Sequence, residues 1–367
     1  MKTNPVDRPA SLWLRAVDSI DERYRLRELS HALLDVYIPK DAETFFLGGV
    51  TLFLFTTQVI TGSLLTLYYQ PTPDRAYDSV MFIMSSVNFG WLIRSVHAWG
   101  ANLMIASCAL HLLRIYFQGA YKPPREITWG VGVLLLAVTM GFGFTGYLLP
   151  WDQRAFWATT VGSEIPGSVP LVGQYLLQFL RSGLDVTGAT LTRFYGVHTS
   201  LLPLSLGAML AVHLVLIHQQ GLANRRKAGP RPAATSAAPA QPEAEEETLP
   251  FFPHYVLGEM IAWYFVLALL IVLASIFPAG LEEKADPLQT PAHIKPEWYF
   301  LFLYQMLKVV PRTVGVLAPI LGLPILILLP LIDRNPEVRP RKRLFAILLG
   351  LVVLAGIVGL TLWGWFS

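Results

Sequence analysis

Apolar residues along this chain come in long unbroken runs divided by short charged or Pro/Gly-containing stretches, not at the three- and four-residue spacing of a one-sided helix. A helix that is apolar all round belongs in lipid, and a hydrocarbon core about 30 Å thick takes about 20 helical residues to cross. Cutting the chain at its formal charges leaves seven such runs: residues 45–69 (span A), 95–113 (B), 127–151 (C), 194–217 (D), 260–281 (E), 313–332 (F) and 344–367 (G). The predicted fold is all-α and polytopic, a four-helix bundle followed by a three-helix unit. Residues 1–44 interleave Arg15, Arg23, Arg25 and Arg27 with acids and with Leu and Val, which predicts a surface helix and no signal peptide.

Composition excludes the water-soluble alternative. Hydrophobic residues make up 53% and charged residues 14%, with a mean hydropathy of +0.48, whereas soluble domains carry about 25% charged residues. A net charge of +3 is too small to argue for nucleic acid. The single cysteine, Cys108, excludes a disulfide framework, a zinc finger and a cysteine-held iron–sulfur cluster within this chain. Of the 28 Lys and Arg, 19 fall in the N-terminal stretch and in the B–C, D–E and F–G connections. That asymmetry places those segments in the cytoplasm and the C–D and E–F loops and the C-terminus outside. Residues 223–250, rich in Pro and Ala and then Glu, read as a disordered linker between a four-span unit (45–222) and a three-span unit (251–367). The long C–D loop has room for short interfacial helices.

Candidate chemistry lies in four histidines. His97 and His111 are in span B, His198 and His213 in span D, 14 and 15 residues apart. Those steps leave each pair within about 40 to 60° of one face and about 21 to 22 Å apart along the axis. Spans B and D run in the same direction, so His97 pairs with His198 near the outer surface and His111 with His213 near the inner one. A lone histidine in an apolar helix can simply be a polar group satisfied by a carbonyl; four in register are harder to explain so, because intramembrane ionisable groups are costly. Two imidazoles at each depth, with no Cys, Asp or Glu beside them, suit the axial positions of a haem iron better than zinc. Gly48 and Gly62 in span A and Gly132 and Gly146 in span C repeat the 14-residue step. They offer bare backbone to a flat macrocycle, close helix packing being the other reading. Arg94, Arg114 and Arg193 sit at span ends, either snorkelling to headgroups or pairing with haem propionates.

With these features, Gly146-Tyr147-Leu148-Leu149-Pro150-Trp151-Asp152-Gln153 and Pro296-Glu297-Trp298-Tyr299 give a chain that resembles cytochrome b of the Rieske/cytochrome b quinol-oxidising complexes. The 15-residue step in span D, the Pro-Trp-Asp-Gln form and the three-span second unit are similar to the plastid-type cytochrome bf branch, with its subunit IV-like part fused. The resemblance implies two b haems, an outer quinol-oxidation site and an inner quinone-reduction site. It also implies a Rieske iron–sulfur protein and a c-type cytochrome as partners, a homodimer, and a prokaryotic cell membrane as location. It places Tyr147 and the Pro296, Glu297, Trp298, Tyr299 motif at the outer site, where Glu297 would accept a proton from the quinol, as quinol chemistry requires of some nearby group. Where plastid-type relatives carry the cysteine of a third, covalent haem, this chain reads Thr44-Phe45-Phe46-Leu47, so no covalent haem is expected. Cys108 stands at the wrong depth to replace it. His218 takes the place of a basic residue at the inner site. Two other classes stay open: a di-haem membrane anchor of another respiratory oxidoreductase, and a transporter with a histidine-lined pathway. The outer acid motif speaks against the first, and the nearly unbroken apolarity of spans A, E and G against the second.

Overall fold

A computed structural model describes residues 12–25, 28, 37–39, 46–221, 248–292 and 294–367. Among the described residues six helices are long and apolar enough to cross a membrane: Leu47–Thr66 (span A), Gly90–Gln118 (B), Glu126–Tyr147 (C), Gly188–Gln220 (D), Phe251–Ile276 (E) and Leu344–Phe366 (G). Span B runs well past the limits expected from charge, because Arg94 and Arg114 continue the helix and can carry their charge along its surface. Span F differs more. It is a helix over Arg312–Ile327, a break at Leu328 and a short turn over Leu329–Ile332. Pro330 has no N–H to bond the Leu326 carbonyl, and the Trp129 indole of span C donates to that oxygen instead, at 2.7 Å.

The C–D loop, expected to have room for short helices, forms Gln153–Gly167 and Gly173–Arg181. A further helix, Trp298–Val309, lies between spans E and F, buries Tyr299, Leu301 and Gln305, and packs on the end of span G. Leu12–Tyr24 is helical. Residues 223–247 of the expected linker lie outside the described residues, but its last three residues are not linker. Thr248–Pro250 is a strand paired antiparallel with Tyr37–Pro39, burying Ile38 opposite Leu249.

Buried apolar residues stack in three levels. The level at the end that the charge asymmetry assigns to the outside, called outer from here on, holds Leu148, Trp151, Phe156, Leu191 and Phe194. Leu54, Val96, Met104, Leu206 and Leu270 occupy the middle, and Tyr121, Trp129 and Val133 the innermost. Leu270 of span E inserts among spans A, B and D, so the second unit is packed against the bundle at mid-depth as well as at its rims.

Candidate functional site

Each of the four histidines lies against a glycine of a neighbouring span. A Cβ placed on Gly62 would meet His97 Cε1 at 3.1 Å and one on Gly48 would meet His111 Cε1 at 3.5 Å. On span C, a Cβ on Gly146 would meet His198 Cε1 at 2.6 Å and one on Gly132 would meet His213 Cε1 at 3.4 Å. The bare backbone is therefore filled here by the imidazoles themselves, where sequence reasoning offered it to a macrocycle or to close helix packing. His97 and His198 face one another with ring centres 6.4 Å apart and planes 70° apart. That distance accommodates one metal atom with a bond of about 2 Å to each ring.

The 15-residue step in span D has a structural explanation. Val197–Leu201 is a π-helical turn, closed by the Leu202 N–H to the Val197 carbonyl. Pro203 lacks the N–H that would have continued the α ladder at Thr199. A π turn takes up one extra residue, so 15 residues here span the face that 14 span in span B.

Thr61 Oγ1 is 2.9 Å from His97 Nδ1 and Thr145 Oγ1 is 3.2 Å from His198 Nδ1. Each threonine hydroxyl already donates its one hydrogen to a carbonyl, of Thr57 at 2.7 Å and of Gly141 at 2.8 Å. The threonine oxygens therefore accept from Nδ1–H, which leaves Nε2 of both rings with its lone pair for a metal. Among the described residues no group of three or more His, Cys, Asp or Glu side chains converges. Two opposed imidazoles without further protein ligands fit a centre that brings its own equatorial donors, which is what a haem does.

At the outer end, Pro-Trp-Asp-Gln ties the two units together. Asp152 caps the helix behind it by accepting from Ala155 N at 2.8 Å. The Gln153 N–H donates to the Glu283 carbonyl at 2.8 Å, and the Ala285 N–H to the Trp151 carbonyl at 3.1 Å. This stitching brings Glu297 from the second unit over Tyr147 from the first. Arg154 Nη2 lies 3.3 Å from Glu297 Oε1, and its guanidinium sits 6.0 Å from the centre of the Tyr147 ring. The Tyr147 hydroxyl is buried and has no hydrogen-bond partner, a group that a polar ligand would satisfy. Trp298 Nε1 donates to Asn102 Oδ1 in span B at 2.7 Å, and the Tyr299 ring lies against Gly143 of span C. Pro296 precedes these at the helix start. The motif thus clamps the connecting helix to spans B and C. Burial and the Asp152 carboxylate push Glu282, at the same rim, above the ordinary carboxylate range.

The three end-of-span arginines are used differently. Arg94 donates to the Ala279 and Gly280 carbonyls at 2.7 and 2.8 Å, locking span B to the end of span E. Arg193 donates to the Phe179 carbonyl and lies 5.7 Å from the centre of that ring. Arg114 is a charged neighbour of His111. At the inner end His218 is exposed on the last turn of span D. Sequence reasoning passed over Glu259, in span E, whose carboxylate lies 2.5 Å from where a Cβ on Gly49 would stand, next to the Gly48 that faces His111. It stands one residue before the expected span (260–281), and only the longer helix Phe251–Ile276 puts it inside an apolar span. Arg154 carried no signal, since its partner lies 143 residues away.

Comparison with known proteins bears on the family and the fold. The family model for cytochrome b/b6/petB matches residues 33–221, and that for the cytochrome b C-terminal region/b6/petD matches residues 284–366. A cytochrome bc complex cytochrome b subunit from Chlorobaculum thiosulfatiphilum is 40% identical over 341 residues, 90% of this chain and 76% of the relative. Cytochrome b6 of Emiliania huxleyi is 45% identical over 206 residues, 56% of this chain but 96% of that protein. A solved chain of a hyperthermophilic respiratory Complex III superposes with a TM-score of 0.83 at 33% identity, covering 95% of this chain and 91% of its own.

Proposed function

The chain belongs to the cytochrome b/b6 family, and from that membership we propose that it is the di-haem subunit of a Rieske-containing quinol:cytochrome c oxidoreductase that couples electron transfer to proton translocation. Quinol oxidation and electron transfer are the business of the family; the residues, partners and direction are our reading. His97 and His198 would hold an outer b haem, His111 and His213 an inner one, with Gly62, Gly146, Gly48 and Gly132 leaving room for the rings. Such haems, when bound, supply a one-electron path across the membrane. The observation that carries the reading is the opposed His97–His198 pair, 6.4 Å apart and held by Thr61 and Thr145 with Nε2 free.

At the outer site the unpartnered Tyr147 hydroxyl and the Glu297 carboxylate offer a donor and an acceptor to the two ends of a polar head group. Glu297 takes the proton that a quinol must shed on oxidation, and Trp298 and Tyr299 fix the helix that carries it. A Rieske protein and then a c-type cytochrome accept one electron on the outer side. At the inner site Glu259 and His218 deliver protons to a quinone from the cytoplasmic side, consistent with the Lys and Arg excess there. The four-span and three-span units, joined through residues 223–247, work as one body, in a homodimer in a prokaryotic cell membrane. No haem is covalently attached, because Cys108, the one thiol, is buried in span B.

A reduced-minus-oxidised absorption spectrum of the purified protein, with haem extraction, tests this. We expect a b-type band, two haems per chain and no haem stain after denaturing electrophoresis; a missing b-type band overturns the reading. Glu297→Gln is expected to slow quinol oxidation about 10²-fold, the low end for a general base, with both haems retained. An unchanged rate at saturating quinol removes Glu297 from the chemistry.

A further inference from the structure

Glu297 stands at the residue before the helix Trp298–Val309, so its backbone is fixed while its carboxylate is held by a residue of the other unit. That residue is Arg154, in the first turn of the helix Gln153–Gly167. Its placement is rigid, because Asp152 caps the helix and the backbone on either side of Asp152 is bonded to the Glu283–Ala285 stretch. The pair is partly open to water, with side-chain exposures of 44% for Arg154 and 26% for Glu297. The guanidinium also overhangs Tyr147, whose hydroxyl lacks a partner. Burial opposes the charge on Arg154, but Tyr147, Glu297, Glu282 and Asp152 together hold its pKa above the ordinary range.

We propose that Arg154 is a positioning residue for outer quinol oxidation: it holds the Glu297 carboxylate beside Tyr147 while the site waits, releases it on protonation and recaptures it when the proton has left. The proposal rests on Glu297 being the proton acceptor. In the step itself the quinol O–H bond breaks and an O–H bond forms on the Glu297 carboxyl. The quinol's other O–H gives its proton to water at the outer rim, and its two electrons go one each to the Rieske-type and haem acceptors of the proposed function. A neutral carboxyl is no longer attracted to the guanidinium, so the ion pair opens at that moment. The carboxyl O–H then breaks to water at the outer rim, and the restored carboxylate returns to Arg154. Arg154 keeps its proton throughout. The charged and titratable groups around Glu297 are Arg154 from the C–D helix, Tyr147 from span C and Tyr299 from its own helix, with Asp152 and Glu282 as further neighbours of Arg154. Lys295, two residues before Glu297, is directed elsewhere and donates to the Trp365 carbonyl at 3.0 Å.

The test uses the assembled complex, with rates taken per b haem. Arg154→Gln is expected to move the acid limb of the pH–rate profile for quinol oxidation up by about half a pH unit, which is about threefold in rate on that limb, the size a partly exposed ion pair supports. Arg154→Lys is expected to restore the limb, and the two-haem spectrum to stay as in the parent. In a Glu297→Gln background the same Arg154→Gln change is expected to do nothing further. Arg154→Met serves as a second neutral variant if Arg154→Gln assembles poorly. A parent-like profile in a neutral variant overturns the proposal, as does an equal shift in the Glu297→Gln background. A parent-like rate for Glu297→Gln alone sinks the proton-acceptor reading itself, a different result from a slowed Glu297→Gln with an indifferent Arg154.

Discussion

The outer and inner histidine pairs are built on the same four helices and the same glycine step, yet they are held by different means. At the outer pair the residue before each glycine is a threonine, Thr61 or Thr145, and each bonds the Nδ1 of the opposed ring. At the inner pair the same positions are Leu47 and Val131, and Nδ1 of His111 and of His213 is buried without a hydrogen-bond partner. The glycine clearances follow suit: 2.6 and 3.1 Å at the outer pair, 3.4 and 3.5 Å at the inner. The outer rings are thus fixed in orientation and tautomer by threonine hydrogen bonds and tight seating, whereas the inner rings lack those threonines and sit with more clearance, His213 having the Thr128 backbone beside it. Symmetry of sequence spacing has not produced symmetry of constraint.

The largest effects come from removing the rings. His97→Ala or His198→Ala is expected to abolish one haem, and His111→Ala or His213→Ala the other, read by haem content and by the two steps of a redox titration. Loss of the same haem in His97→Ala and His213→Ala breaks the pairing on which the comparison stands. Next come the glycines. Gly146→Ala puts a methyl 2.6 Å from His198 Cε1, a separation that cannot persist, whereas Gly48→Ala makes an ordinary 3.5 Å contact with His111. We therefore expect Gly146→Ala to lose most of the outer haem and Gly48→Ala to keep most of the inner one. Equal losses at the two depths would mean that clearance does not distinguish the sites.

The inner half recovers rigidity at its rim. Tyr121 donates to Asp333, Lys122 Nζ is 2.9 Å from the same carboxylate, and Arg343 Nη2 donates to the Tyr121 oxygen at 2.8 Å. Although burial opposes it, the bonds from Tyr121 and Lys122 hold Asp333 below the usual carboxylate range. A depressed carboxyl contributes stability that is present above its unfolded value of about 3.9 and is lost only as the pH falls through the lower folded value. Asp333→Asn leaves the Lys122 ammonium buried and uncompensated, so a loss of about 3 kcal/mol is expected in thermal unfolding, unchanged from pH 8 to pH 5. A deficit that fades within that range would place the titration elsewhere.

Much of this was legible in the chain because it is periodic. A 14-residue step in histidines and glycines survives without knowledge of the fold, and runs of about 20 apolar residues have one main use. What escaped was either non-periodic or long-range. Helix ends were misplaced at Arg94 and Arg114 because a charge does not end a helix when it can reach an interface. The π turn at Val197–Leu201 was hidden, although the odd 15-residue step and Pro203 were its trace. Thr61 and Thr145 stood beside noted glycines and passed for ordinary apolar-span residues. Arg154 could not have been found, since only the fold brings it to Glu297.

A smaller effect isolates the hydrogen bonds. Nδ1–H donation to a threonine oxygen makes the imidazole a stronger donor to a metal and so favours the oxidised centre. Thr61→Val keeps the shape and removes the acceptor. The outer haem's reduction potential is expected to rise by tens of millivolts, about the 59 mV that marks a tenfold change in a one-electron equilibrium, with two haems still bound. Leu47→Thr at the inner pair is the converse, expected to lower the inner potential. If both substitutions leave both potentials in place, the threonines only fill space.

The smallest effect lies at the outer rim and runs opposite in sign to that of Asp333. Burial first, and then the Asp152 carboxylate, push Glu282 above the ordinary range. A raised carboxyl means that its charged form is disfavoured by folding, so the cost is present at high pH and is relieved as the pH falls through the raised value toward the unfolded one of about 4.3. Glu282 is exposed, and solvent screening keeps the cost to about 0.5 kcal/mol or less. Glu282→Gln is therefore expected to raise the thermal midpoint slightly at pH 8 and to leave it unchanged near pH 4. The cation that acts on it is Arg154, which also serves Glu297, so removing Glu282 should leave the Arg154–Glu297 pair more exclusive and shift quinol oxidation, if at all, in the direction opposite to Arg154→Gln. A midpoint that falls at pH 8 would show Glu282 to be a net stabilising partner of Arg154, and the outer rim to be tied by charge in the same manner as the inner.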